Sequence, residues 1–281
     1  MPMNHRLLVP RKTPGLLDLV PGAAAAYSLR SLSNSYADPV VTVRRSSDDA
    51  EEDFTASEVA DGTLAAFCGA GDGFVKTWHS QTGSNDASQT TAAYQPKIVS
   101  SGVVVTEEGK PAIQFDGTAS RFDLPTISSQ VRCDAFFVAA PSQFSGTTPG
   151  SANARFFDVI AGTVSFQFLR DAATTSLAMK NSAWQAGVNS TTFGVAGLGQ
   201  QLYSASFKVA SNTLHIDGAQ QSTSTAASVG SAGTVGKIGL RADVTTTTFF
   251  EGTFQELLLY FIDTSANREL LEGNIAWSYS Q

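Results

Sequence analysis

Beyond residue 100 the chain breaks into short runs with apolar side chains on alternate positions. Gly, Asn and Asp turns separate the runs, roughly every ten residues. Alternation is cleanest at Val164, Phe166 and Phe168, and at Tyr203, Ala205, Phe207 and Val209. A period of two puts one side of each run in a core and the other outside. Further runs fall at 135–140, 156–160, 202–209, 213–217, 235–240 and 254–262. A hairpin is expected from 103–106 and 112–115 about a turn at Glu108-Gly109, and an Asp-Gly turn follows LHIDG. Many short strands at this spacing predict an all-β fold, a two-sheet antiparallel sandwich.

Helical signals are few. Leu29, Leu32 and Tyr36 are spaced for a helix over 23–36, which Pro39 ends. A strand over 40–45 follows. A second helix is predicted over 61–68, capped by Asp61, with Leu64, Phe67 and Cys68 on one face and Gly69 as its stop. Gly71-Asp72-Gly73 turns into a strand over 74–78. A closing helix carries Leu271, Ile275 and Tyr279 on one face, with Asp263, Thr264 or Ser265 as its cap. Residues 143–151 and 222–234 are loops of small residues. Residues 1–22 contain Pro2, Pro10, Pro14 and Pro21 and read as an extended arm, since each proline fixes φ and removes a donor. Its apolar residues (Leu7, Leu8, Val9, Leu16, Leu17, Leu19) either wrap the chain's own domain or dock on a neighbour. Residues 23–281 form the sandwich domain.

Composition narrows the class. Of 281 residues, 42% are hydrophobic and 15% are charged, where about 25% charged is usual. Ser, Thr, Ala and Gly take the place of charge, as in secreted or virion β-proteins. The net charge is −7, without the basic patch that nucleic-acid binding needs. No run of 18 apolar residues is present, so no membrane helix is expected. The N-terminal residues lack an apolar signal-peptide core, because Pro10, Arg11 and Lys12 interrupt it. Synthesis in a host cytoplasm and release by lysis, on the surface of a phage or phage-like particle, fits that pattern. Cys68 and Cys133 are not spaced for a zinc cluster and stand either as two buried thiols or as one disulfide. No cofactor is implied.

The order of elements and the loops resemble the concanavalin A-like lectin/glucanase jelly roll. The marks are FDG at 115–117, HIDG at 215–218, and IGLRAD…FFEGTFQELLLYF before the helix NRELLEGNIAWSY. RRSSDD, FCG and WHSQTGSNDASQ are more particular. They resemble the GSDD, TFC and Y-D-Q-S-G-N-G-N runs of the family 54 α-L-arabinofuranosidase catalytic domain. The resemblance spans residues 25–281 in order, thinly between 120 and 235. Similar sequences occur among structural proteins of tailed phages and phage-like particles. It departs at one position: Ser80 stands where the family has the Asp of Y-D-Q-S-G. A retaining glycosidase needs two carboxyls about 5 Å apart. The resemblance offers Asp158 for the nucleophile strand and Asp243 for the acid/base loop.

Three candidate sites follow. Trp78, His79, Gln81, Asn85 and Asp86 make a polar loop beside an aromatic, suited to stacking and hydrogen-bonding a sugar. Its alternative is a buried Trp78 with amides stitching the loop to its own backbone. Asp48, Asp49 and Glu52 offer carboxylates to Ca²⁺, or form a solvated loop neutralised by Arg44 and Arg45. His5, His79 and His215 have no G-x-S-x-G to serve. The sequence therefore predicts a non-enzymatic particle component (head spike, decoration or tail-fibre appendage). It would bind host surface glycan, meet other particle proteins through the arm, and form a homo-oligomer. The alternative is a glycoside hydrolase of α-L-arabinofuranosidase type.

Overall fold

In the computed structural model, the described residues are 13–125, 132–142, 155–161, 164–170, 177–181, 191–193, 199–208, 212–224, 236–240 and 249–279. They form two antiparallel layers. The back sheet runs Ala219–Ser224, Asn212–Ile216, Gln201–Lys208, Arg132–Pro141 and Glu251–Tyr260. On the far side of Glu251–Tyr260, strands Ala25–Ser28 and Ile113–Asp116 lie end to end. The front sheet runs Glu51–Phe54, Val41–Arg45, Gly73–Trp78, Ala87–Ser88, Phe122–Leu124, Gly236–Ile238, Arg155–Ala161, Val164–Arg170, Leu177–Asn181 and Thr191–Phe193. Strand Lys97–Ser100 pairs with both Gly73–Trp78 and Ile113–Asp116, so hydrogen bonding passes from one layer to the other.

The alternation read from the sequence decides which side chains meet between the layers. Phe207, Ala205 and Tyr203 of the back sheet and Phe157, Phe166 and Phe168 of the front sheet fill one core with Phe137, Phe156 and Phe254. Phe137 stacks on Tyr203 with centroids 4.7 Å apart and meets Phe168 edge-on at 4.9 Å. Each such pair adds roughly 0.5–1.5 kcal/mol beyond its buried area.

The apolar part of the outer side of the back sheet is covered. Phe136, Val138, Leu202, Leu258 and Tyr260 point that way and are covered by Leu271 and Ile275 of the C-terminal helix Arg268–Tyr279. Leu16 and Val20 join this second core. The Tyr260 hydroxyl donates to the Val20 carbonyl at 2.8 Å. Residues 13–22 of the expected arm thus wrap their own domain; residues 1–12 lie outside the described residues. Behind this helix, Glu256 has no exposed surface. It accepts from Arg30 Nε at 2.8 Å, Arg30 Nη2 at 2.9 Å and Ser28 Oγ at 2.8 Å.

Several expected elements are redrawn. Residues 23–36 are not a helix: Ala25–Ser28 is a strand, paired Ala25 to Leu259 through Ser28 to Glu256. It is buried on both sides and so lacks alternation. The helix expected over 61–68 forms as Thr63–Cys68, and a further helix, Ala56–Ala60, precedes it. Thr55 and Glu58 cap Ala56–Ala60 as a reciprocal box, an arrangement that satisfies two orphan donors. Asp61 ends that helix, Gly62 is the N-cap of the next, and Asp61 Oδ1 accepts the Thr63 amide at its start at 3.0 Å. The turn at Glu108-Gly109 forms, but its arms are Thr106–Glu107 and Lys110–Pro111. Val103–Val104 pairs instead with Lys97–Ser100. The closing helix begins after a short 3-10 turn, Ser265–Asn267, and Asp263 accepts the Ser265 amide at 2.9 Å.

Candidate functional site

The back sheet is covered by the C-terminal helix, and the two short helices pack Val59, Leu64 and Cys68 into the main core. The outer side of the front sheet carries no covering helix among the described residues. Its register lines up one polar residue per strand. Asp53 lies opposite Thr42, Thr42 opposite Thr77, and Thr77 opposite Ser88. The row continues through Asp123 and Lys237 to Asp158. Directly paired residues share a face. The row therefore presents hydroxyls, carboxylates and an ammonium, while Val41, Val43, Val75 and Trp78 turn inward.

Two local arrangements stand on this face. Lys237 Nζ meets Asp123 Oδ1 at 2.5 Å, with the Asp123 side chain 44% exposed. Asp158 follows on the next strand and is 1% exposed. At the other end, Asp86 Oδ2 is 2.9 Å from His79 Nδ1, and His79 Nε2 is 2.8 Å from Thr42 Oγ1. Thr42 donates to Asp53 Oδ1 at 2.5 Å, and Asp86 Oδ1 accepts the Ser80 amide at 2.8 Å. Together these contacts tie the 79–86 loop to the edge of the sheet.

The residues expected to bind sugar divide. His79 and Asp86 reach the surface as a pair. Trp78 does not: it has no exposed area and packs between Tyr27 at 5.6 Å and Phe122 at 6.1 Å. Gln81 is also buried and holds the turn before the sandwich edge, accepting the Leu32 amide at 2.8 Å and donating to the Arg30 carbonyl at 2.7 Å. Asn85 donates to the Ala24 carbonyl at 2.8 Å and its own carbonyl accepts the Tyr27 hydroxyl. Burial pushes that Tyr27 hydroxyl far above the usual phenol range. Ser80, at the position of the family's Asp, is 1% exposed and accepts the Ala26 amide at 3.0 Å. This loop mostly stitches itself to strand Ala25–Ser28.

The expected calcium carboxylates are spent on arginines. Asp48 takes Arg45 in a two-pronged pair at 2.7 Å, which holds its carboxyl far below the usual range. Asp49 pairs with Arg44 at 2.5 Å. Glu52 lies between Glu51 and Asp53 on one strand and so points to the opposite side from both. Among the described residues no three carboxylate, imidazole or thiol groups converge as a metal set. Both cysteines are free and buried.

Of the hydrolase pair, Asp158 continues the front row but is buried, and Asp243 lies outside the described residues. Asp123, missed in the sequence because it sits in the short segment RFDLP, is the described carboxylate nearest to Asp158 in the row. One strand intervenes, so their backbones are about 9.5 Å apart. Lys237 stands between them and pairs with Asp123.

The architecture defines a concanavalin A-like β-sandwich. No protein-family model matches the chain, and no curated protein is similar to it in sequence. Among solved structures it is similar to a GH54 α-L-arabinofuranosidase soaked with a cyclic sulfate inhibitor. The TM-score is 0.57 and the identity 13%, over 90% of this chain and 62% of that one. An arabinofuranosidase complexed with arabinofuranosyl-α-1,2-xylobiose matches with a TM-score of 0.53, at the same identity and coverage. At that identity the likeness shows the fold. The chain spans 62% of the length of these enzymes.

Proposed function

We propose that this chain is a non-enzymatic component of a phage or phage-like particle that binds surface carbohydrate on the outer face of its front sheet. The polar row from Asp53 to Lys237 carries the reading. Sugar hydroxyls are recognised by convergent carboxylates, hydroxyls and amides on a rigid support, and a sheet holds them in fixed register. The low-charge, hydroxyl-rich composition fits a particle surface. Within this reading the protein is a head spike, decoration or tail-fibre part, made in the host cytoplasm. Residues 1–12 carry Leu7, Leu8 and Val9 and lead directly into a segment already docked on the back sheet. They are the proposed anchor to other particle proteins or to further copies of the chain.

Among the described residues Asp123 is engaged by Lys237 and Asp158 is buried, which favours binding over hydrolysis. The test is a glycan array paired with a reducing-sugar assay on arabinose-containing polysaccharide. Binding without release is expected. Release of sugar would replace this reading with the arabinofuranosidase one, and no binding to any glycan would overturn the carbohydrate reading.

A further inference from the structure

Beside the polar row, the same face holds a groove of about 590 Å³, within the range of ligand sites. Its floor is a second cross-strand row: Arg44, Phe74, Lys97 and Gln114 lie directly opposite one another on four neighbouring strands. Three strand spacings make that floor about 14 Å long. Phe74 is the outward residue of FVKTW, the partner in alternation of the buried Val75. Its ring stands between two cations, with the Arg44 guanidinium 5.0 Å and the Lys97 ammonium 5.7 Å from its centroid. The ring keeps the two cations apart and attracts both.

The two cations are held from below and lightly countered from above. Buried Gln95 accepts from Arg44 Nε at 2.8 Å, which fixes the guanidinium plane. Arg44 Nη1 meets Asp49, whose side chain is 76% exposed on a hairpin turn. Lys97 meets Asp72 at 2.8 Å, both about 30% exposed. The Arg44 side chain is 12% exposed, but its partner Asp49 is held on an exposed turn, so a ligand carboxylate can displace Asp49 and take the guanidinium fork. The carboxylate that lines the groove, Asp116, is at the opposite end. Its Oδ1 accepts the amides of Thr118, Ala119 and Ser120 at 2.9, 2.8 and 2.9 Å, closing its own turn. Gln114 is exposed between the two ends, an amide for sugar hydroxyls.

We infer that this groove is a subsite for an acidic oligosaccharide: a sugar carboxylate meets Arg44 and Lys97, and the neutral remainder runs over Gln114 toward Asp116. The inference rests on the carbohydrate-binding reading and names its ligand class. It is tested by titrating the whole chain with two matched pairs: oligogalacturonate against its methyl ester, and sialyllactose against lactose. One acid is expected to bind roughly tenfold tighter than its neutral partner, the worth of one charge-assisted hydrogen bond. Lys97→Gln removes that advantage, as does 0.5 M salt, which screens exposed charge. Arg44→Gln is the second variant, with circular dichroism confirming that each variant folds. The subsite is overturned if neither acid outbinds its neutral partner, or if the advantage survives in both variants. Binding of neutral glycans alone sinks this subsite and leaves the carbohydrate reading standing; silence toward every glycan sinks both.

Discussion

Trp78 spends its whole surface on cohesion. It lies between Tyr27 and Phe122 with nothing exposed, and its indole N–H has no hydrogen-bond partner. Trp78→Ala is expected to cost about 3–5 kcal/mol in urea unfolding. Trp78→Phe is expected to cost clearly less, because it also removes an unsatisfied buried donor. A Trp78→Ala protein that melts like the parent and loses glycan binding would restore the stacking-platform reading. The cysteines are legible by the same logic. Burial pushes the Cys68 thiol up to about 11 and raises that of Cys133 well above its usual value. The thiolate is the reactive form, so neither should be alkylated by iodoacetamide at pH 8 until the chain is denatured. Rapid native labelling of Cys133 would contradict its place on the inner side of the back sheet. At this scale the sequence misleads where one residue type serves two ends: nothing in WHSQ distinguishes a tryptophan facing in from one facing out. Strict alternation would put Phe74, four residues earlier, on the same side as Trp78; a register shift in the strand separates them, leaving Phe74 outward and Trp78 inward.

Elements with clean alternation formed where the sequence places them, as in Val164–Arg170 and Gln201–Lys208. Those buried on both sides did not announce themselves. The sequence around strand Ala25–Ser28 predicts a helix because Leu29, Leu32 and Tyr36 mimic a helical face; in the structure Leu29 and Leu32 enter different cores. Glu256 hides in the same way within FQELLLY. It fastens strand Ala25–Ser28, strand Glu251–Tyr260 and the C-terminal helix together: Arg30 and Ser28 donate to it, and the Tyr279 hydroxyl is 3.2 Å away. Removing one partner of a buried pair strands the other charge. Arg30→Met should therefore destabilise by about 3–5 kcal/mol. Arg30→Met with Glu256→Leu should recover much of the loss, since an apolar replacement of both removes the stranded charge. Failure of the double variant to recover any stability would mean that Glu256 contributes through Ser28 and Tyr279 instead.

The whole molecule follows from pairing that no local pattern encodes. The front row joins residues from Thr42 to Lys237, and the register between Phe122–Leu124 and Gly236–Ile238 spans more than a hundred residues. Local periodicity fixes which side of a strand faces out but not which strand lies beside it, so the open face and its groove were beyond reach of the sequence. The same long-range pairing has a measurable consequence. Strands Lys97–Ser100 and Ile113–Asp116 carry hydrogen bonding from front to back, and one aromatic core lies between the layers. Neither sheet can melt while the other keeps its inner side dry. Urea unfolding should therefore give one transition, with far-ultraviolet circular dichroism (backbone) and near-ultraviolet circular dichroism (aromatic packing) coincident. The C-terminal helix belongs to the same unit, because the second core is built on the reverse of the back sheet. Cutting the chain before Arg268 should expose Phe136, Val138, Leu258 and Tyr260, produce dye binding, and lower the midpoint of that single transition. A truncated chain that keeps the parent midpoint, or a parent that unfolds in two separated steps, would show that the layers are held independently.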